Sequence, residues 1–352
     1  MNVLSLFDGM SCGHIALDRL GVKVNQYFAS EIDKYAIQVT QKNYPDTIQL
    51  GDVTKLKGKD LPKIDLLIAG SPCQGFPFAG KQLNFNDPRS ALFFEFVRLK
   101  EEINPKYFLL ENVNMKKEYL RIISEYLGIF PVRINSNLVS AQNRDRWYWS
   151  NIRTKNIGLF SELWTDIPQP EDRGIFLKDV LEDVVDDKYF VKSESKLKFI
   201  TDEWRLNKKY TQINGEKAIT QQARQYASWG GDYIIVPEAT KDGFVSVKPG
   251  ECFDFENPKS KTRRGRKMEN KSNCLMTKKT DFMLYTKEGR IRRLTPVECE
   301  RLQTVNDNYT DCVSDNQRYK MLGNGWTVEV IKHILSFLNG FEKTIVGRQK
   351  NI

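Results

Sequence analysis

Through its first half the chain alternates short, nearly continuous apolar runs with longer stretches whose apolar residues recur at helical spacing. "NVLSLF" (Asn2–Phe7) predicts a strand, and "GHIALDRLG" a helix stopped by Gly21 as a natural C-terminal cap. "VNQYFASE" predicts the second strand and "DKYAIQVTQKNYP" a helix ending before Pro45. "DTIQLGDV" and "IDLLIAG" predict the third and fourth strands; the unbroken apolar run of the fourth implies burial on both faces. A helix over "SALFFEFVRLKEEINP", a strand at "YFLLENV" and a helix over "MKKEYLRIISEYLG" follow. "VRINSNLVSA" and "RWYWSNI" then read as a hairpin. Such repetition predicts an α/β fold around a doubly wound, mostly parallel sheet.

From about Trp164 to Tyr285 this periodicity gives way to polar, turn-rich and irregular sequence. Helical spacing returns at "RIRRLTPVECERLQTV", with Pro296 near a helix start and Glu298 in its first turn. The expected organisation is therefore an α/β part over 1–160, a smaller inserted domain over 161–285, and a segment 286–352 that completes the first part.

Composition narrows the possibilities. The 352 residues are 40% hydrophobic and 28% charged, enough apolar side chains for a packed core in a soluble protein. There is no apolar run of the length a membrane span needs, and the N-terminus does not read as a secretory signal. The expectation is an intracellular, cytoplasmic monomer. A formal net charge of +9 suits a polyanionic partner, though it serves solubility equally well. The six cysteines form no CxxC pair, which argues against a zinc site or a disulfide framework, and no metal is expected. Only His14 and His333 are available for histidine-based catalysis.

Candidate chemistry gathers at the ends of the predicted strands. "FDGMSCG" is a small-residue turn between strand and helix, where Gly9 allows a ligand close to the backbone. Glu31 ends the second strand where a ribose diol is held in doubly wound folds, and Asp52 ends the third. These features suit a ribose–adenine ligand without separating NAD from S-adenosylmethionine. Ordinary acids at helix starts would look the same. Cys73 follows the fourth strand and Glu111 the fifth, so adjacent parallel strands would bring both to one edge. Arg144 and Arg146, at alternate positions, could supply the positive setting a thiolate requires. A buried small hydrophobe is the alternative for Cys73, against which Pro72 and the small-residue loop after it argue.

The ordered set of segments resembles the DNA cytosine-C5 methyltransferases, most closely those of bacteria and phages. "FDGMSCG", "SEID", "GDV", "GSPCQGF", "DPRSALFFEFVR", "ENV", "QNRDR", "RRLTPVECERLQ" and "GNGWTVEVIKHI" follow the family's order from Asn2 to about Leu338. Ser11 departs from the family's second glycine, Pro77 replaces a common serine, and Trp326 stands where an aliphatic residue is frequent. The resemblance implies a Rossmann-like, S-adenosylmethionine-dependent methyltransferase that acts on double-stranded DNA. It implies Cys73 as the nucleophile and Glu111 as the acid, supported by Asn112. Arg146 would hold the base carbonyl, with Arg144 beside it. Phe7, Gly9, Glu31, Ile32, Asp52, Val53, Pro72, Leu92, Asn324, Gly325 and Trp326 would form the cofactor site. The insert would recognise the target. Its basic run "KSKTRRGRK", with Lys261, Arg263 and Arg264, would meet phosphates, and Gln221, Gln222 and Arg224 are candidates for base contacts. Gln74 and Gln142 would serve the DNA near the nucleophile. The target cytosine would be flipped out of the duplex. The family context implies restriction–modification or phage self-protection. An RNA methyltransferase, a catalytically silent DNA-binding relative and a NAD-dependent oxidoreductase are the competing readings. The last leaves the cysteine, glutamate and arginines without a role.

Overall fold

The computed structural model describes residues 1–71, 88–183, 185–191, 193–223, 230–235, 251–254, 266–268, 282–285 and 291–339. The predicted strands β1 (Asn2–Leu6), β2 (Gln26–Ser30), β3 (Ile48–Gln49), β4 (Leu66–Gly70) and β5 (Tyr107–Val113) all form and run parallel. Between them lie α1 (Cys12–Arg19), α2 (Lys34–Asn43) and α3 (Pro88–Ile103), with α4 (Lys117–Leu127) after β5. β6 (Val132–Asn135) and β7 (Asp145–Ser150) are antiparallel, as expected of the hairpin. β7, however, inserts between β5 and β6, giving the seven-stranded order β3-β2-β1-β4-β5-β7-β6.

Alternation along the strands places one apolar set on each face. Val3, Leu66, Ile68 and Leu109 pack with α1, α9 (Val328–Leu335) and their neighbours; Leu4, Leu6, Leu67, Ala69, Phe108 and Leu110 pack with α3 and α4. Both faces are covered, which explains the unbroken apolar run of β4. β3 is shorter than its sequence predicts because the chain turns at Gly51, with φ of 72°, and Asp52 caps the 3₁₀ turn that follows. Gly21 takes the left-handed conformation just past α1, and Gly128 does so at the end of α4.

The insert is less irregular than its composition suggests. The hairpin β8 (Thr154–Ile157) and β9 (Glu162–Thr165) spans the predicted boundary at 160. It is followed by α5 (Glu194–Ile200) and by α6 (Glu203–Asn207), which Asp202 caps. β10 (Thr211–Ile213) and β11 (Gly231–Ile235) form one small sheet with β15 (Ile291–Arg293), beyond the predicted boundary at 285. β12 (Glu251–Asp254), β13 (Arg266–Met268) and β14 (Phe282–Tyr285) form another.

The chain then returns to the main body through α7 (Pro296–Leu302), α8 (Asp315–Asn324) and α9. Thr295 and Glu298 make a reciprocal capping box and Pro296 occupies the first turn of α7. The solvent-free Glu298 also pairs with Arg292 through both oxygens, at 2.8 and 2.9 Å. Glu300, equally buried, accepts from the backbone of Asn308 and Thr310 and from Arg318 at 3.0 Å. These two carboxylates fix the loops around α7 and α8. Arg19 donates to the Thr304 carbonyl at 2.7 Å and Tyr309 to the Met10 carbonyl at 3.0 Å, which docks the returning segment on α1.

Candidate active site

Parallel pairing brings the carboxyl ends of β1, β2, β4 and β5 level: Leu6 pairs with Ser30 and with Ala69, and Gly70 with Glu111. A cavity of about 420 Å³ opens along this edge. Its wall includes Phe7, Gly9, Glu31, Ile32, Asp52 and Val53 on one side. Glu111, Arg144 and Arg146 lie on the other, with Leu92, Asn324, Gly325 and Trp326 completing it. This is the position at which open α/β sheets take their ligands, and the volume suits a small molecule.

The turn after β1 is tightly wound. Phe7, Gly9 and Ser11 all have positive φ, at 56°, 59° and 62°. For Phe7 this is an unfavourable conformation of the kind found at binding sites. Ser11, which occupies the slot of the expected glycine, recovers part of that cost through its hydroxyl. It bonds to the Asp8 carboxylate and lies 3.1 Å from the Thr40 hydroxyl. Tyr27 donates to the other Asp8 oxygen at 2.9 Å. Burial pushes the Asp8 carboxyl up to about 6, against the pull of these donors. Asp8 also lines the cavity and was not legible as a site residue, although it sits inside the motif.

Glu31 closes the same turn. One oxygen accepts from Gly9 N at 2.8 Å; the other accepts from Ile32 N and Asp33 N at 2.7 and 2.8 Å. The oxygen that accepts only from Gly9 keeps a lone pair for a ligand hydroxyl. The side chain of Ile32 is 77% exposed, an apolar surface at the cavity wall. Hydrogen bonds from the backbone and hydroxyl of Thr54 hold the Asp52 carboxyl below the usual carboxylate range.

At the opposite end, Glu111 is 7% exposed and its Oε1 lies 2.9 Å from Arg146 Nε. The Arg146 Nε–H is not aimed at that oxygen and has no hydrogen-bond partner, so the contact is an ion pair without an aligned bond. Glu111 Oε2 accepts from the Trp326 indole N–H at 3.3 Å. Asn112 Nδ2 donates to Ser71 Oγ at 3.1 Å, tying the end of β5 to the chain two residues before Cys73. Pro72, Cys73 and Gln74 lie outside the described residues, as do Arg224, Lys261, Arg263 and Arg264. Cys12, which lines the cavity, has its thiol pushed up to about 12 by burial, so it stays protonated and is a poor nucleophile. Neither histidine reaches the cavity wall: His14 stacks between Tyr27 and Tyr44, and His333 bonds to the Pro168 carbonyl.

Two glutamines read as DNA contacts are buried. Gln142 is completely buried and Gln221 is 4% exposed, so neither presents its amide to a duplex here. Gln221 Nε2 instead approaches the Cys299 carbonyl at 3.4 Å. Arg144, 4% exposed, donates to the carbonyls of Gly323 and Gln221, at 3.2 and 3.4 Å. It is a tie between the insert, the arginine strand and the returning segment. Burial, and then the charge of Arg146, push its guanidinium down to about 10. Gly323 is required there, because a Cβ would lie 2.4 Å from the backbone of Gln222 and Ala223. Among the described residues no cluster of histidine, cysteine and carboxylate side chains could hold a metal ion, and no helix is long and apolar enough to cross a membrane.

Comparison with known proteins agrees with this arrangement. A family model described as C-5 cytosine-specific DNA methylase matches residues 1–339. The chain is 31% identical over 323 residues to the type II methyltransferase M1.ScrFI of Lactococcus lactis subsp. cremoris, covering 89% of this chain and 71% of that enzyme. It is 30% identical over 431 residues to the orphan methyltransferase M.SPRI of Bacillus phage SPR, covering 96% and 97%. Among solved structures, the Entamoeba histolytica methyltransferase EhMeth superposes with a TM-score of 0.64 at 16% identity, over 96% of this chain and 97% of that one. The Dnmt2 methyltransferase of S. pombe gives 0.61 at 18%, over the same shares. These last two support the fold alone.

Proposed function

The chain belongs to the C-5 cytosine-specific DNA methylases, and on that premise we propose that it methylates a flipped-out cytosine in a specific duplex sequence through a transient bond to Cys73. What supports this reading most is that one cavity joins the Glu31–Asp52 side to the Glu111–Arg146 pair.

The residues present fit S-adenosylmethionine. Phe7 and Ile32 offer apolar surfaces for an adenine, Glu31 Oε2 has a lone pair for a ribose hydroxyl, and Asp52 offers a carboxylate to an exocyclic amine. Val53, Pro72, Leu92, Asn324, Gly325 and Trp326 would complete that site. When bound, S-adenosylmethionine supplies an electrophilic methyl group for carbon 5.

Carbon 5 of cytosine is a weak nucleophile on its own. The Cys73 thiolate adds to carbon 6, and the displaced electron pair makes carbon 5 electron-rich. Glu111 delivers a proton at ring nitrogen 3 and thereby draws the addition forward. Arg146 holds the base carbonyl while pairing with Glu111. After methylation the carbon-5 proton passes to water, the thiolate is eliminated and ring nitrogen 3 gives its proton back to Glu111, restoring the aromatic ring and the enzyme. A stacked base could not reach these groups, which is why the cytosine is extruded.

The inserted segment, 161–285 together with the strand β15 that joins its sheet, recognises the target. Its basic run meets phosphates, and Gln222 and Arg224 are its remaining candidates for base contacts. The enzyme acts as a monomer on duplex DNA in the cytoplasm of a bacterium, in restriction–modification or phage self-protection. Bisulfite sequencing of DNA from cells expressing the chain tests both activity and target. Protected cytosines should fall in one short sequence and disappear with Cys73→Ser, while DNA and cofactor binding persist. Random protection, or protection that survives Cys73→Ser, contradicts the reading.

A further inference from the structure

The returning segment reaches Glu111 as well as the cofactor side of the cavity. The Trp326 indole is 9% exposed, and its Nε1–H donates to Glu111 Oε2 at 3.3 Å, across 215 positions of sequence. Its ring lies against the end of β4, where a Cβ on Gly70 would come within 2.7 Å of Nε1. Its far edge faces α1, with Cζ3 at 3.6 Å from a Cβ built on Gly13. The Arg146 contact to the other oxygen is not an aligned hydrogen bond. The indole therefore supplies directional restraint on the carboxylate, while Arg146 supplies charge.

We propose that Trp326 is a positioning residue for the proton-transfer step: its indole N–H orients the Glu111 carboxyl toward the ring nitrogen of the extruded cytosine. The aliphatic residue frequent at this place could wall the cofactor site but could donate nothing to Glu111. The proposal rests on the reading of Glu111 as the proton source. The two can fail separately, because one concerns the carboxyl and the other only its orientation.

The test uses the full-length enzyme and duplex DNA carrying the cytosine found by bisulfite sequencing. Two replacements remove the N–H: Trp326→Phe, and Trp326 exchanged for benzothienylalanine, which puts sulfur in place of the N–H and keeps the ring shape if phenylalanine folds poorly. The first readout needs no cofactor. Addition of Cys73 lets carbon 5 take a deuteron from heavy water and lose its proton before the thiolate leaves, so exchange of that hydrogen reports addition and protonation alone. The second is turnover with saturating cofactor, and the third is the affinity for S-adenosylhomocysteine. Both replacements should slow exchange and kcat by roughly tenfold, the loss of one buried hydrogen bond. Affinity for S-adenosylhomocysteine should stay within about twofold, and the effect should vanish in a Glu111→Gln background. Exchange at the normal rate, or a loss confined to S-adenosylhomocysteine affinity, overturns the proposal while leaving Glu111 in its role. Normal exchange in Glu111→Gln alone overturns the assignment of Glu111 and the proposal with it.

Discussion

Gly70 ends β4 at the cavity wall, outside the left-handed region, so Gly70→Ala introduces a methyl group without backbone strain. That methyl would lie 2.7 Å from Trp326 Nε1, 3.1 Å from Cε2 and 3.2 Å from Cζ2. Ordinary contact begins near 3.4 Å, so the ring must retreat by about 0.7 Å. The indole is packed between β4, α1 and Glu111 and is no flexible chain end. Overpacking of this kind costs about 1–3 kcal/mol, equivalent to a fall in melting temperature of roughly 1–4 °C for a chain of this size. The 3.3 Å bond to Glu111 cannot survive the same displacement. Gly70→Ala should therefore lower both the melting temperature and the single-turnover methylation rate at saturating cofactor, the rate by about tenfold. Trp326→Val removes all three clashing atoms, so combining it with Gly70→Ala should cost less stability than the two single losses added together. Thermal melts and rapid-quench methylation of all three variants decide the matter. A Gly70→Ala enzyme with normal melting and rate refutes the steric reasoning, as do strictly additive losses.

Two further predictions concern the frame around the site. Glu300→Gln leaves the Arg318 charge buried without its partner and should destabilise the fold by about 3–5 kcal/mol in urea denaturation; a loss below about 1 kcal/mol would contradict the role given to that carboxylate. Acid stability carries two opposed contributions. Burial lowers His14 to about 4, so its contribution is present above its unfolded value of 6.5 and is lost as pH falls through 4. Burial raises Asp8 from 3.8 to about 6, so its contribution is present below 3.8 and is lost as pH rises through 6. The two slopes oppose each other between pH 4 and 6. Asp8→Asn removes one of them, so as pH is lowered from 6 to 4 its unfolding free energy should fall more steeply than that of the parent, by up to about 3 kcal/mol. Parallel curves from urea titrations at several pH values would exclude this balance.

The first five strands, the first four helices and the helix start at Pro296 could be read locally, because each rests on periodicity or on residues three or four apart. The acids Glu31 and Asp52 were legible for the same reason: each follows a strand. What escaped depends on distant pairing. Nothing local tells β7 to lie between β5 and β6, or β15 to join β11. Gln142 and Gln221 look like surface residues by type, yet the segment around Ala218 to Ala223 packs onto the arginine strand and Gly323 and buries both. The bond from Trp326 to Glu111 joins two motifs that are each recognisable alone, but sequence spacing carries no sign of their contact. Asp8 owes its place at the site to burial and to its bonds with Ser11 and Tyr27, neither of which sequence spacing carries.

The covalent step admits the most direct measurement. An oligonucleotide with 5-fluorocytosine at the target position blocks loss of the carbon-5 substituent, so thiolate addition followed by methylation should leave enzyme and DNA joined. Incubation with S-adenosylmethionine should yield a denaturation-resistant complex whose peptide map places the nucleotide on Cys73, and Cys73→Ser should yield none. No complex at a site the enzyme is known to methylate, or attachment at a different residue, would contradict the account.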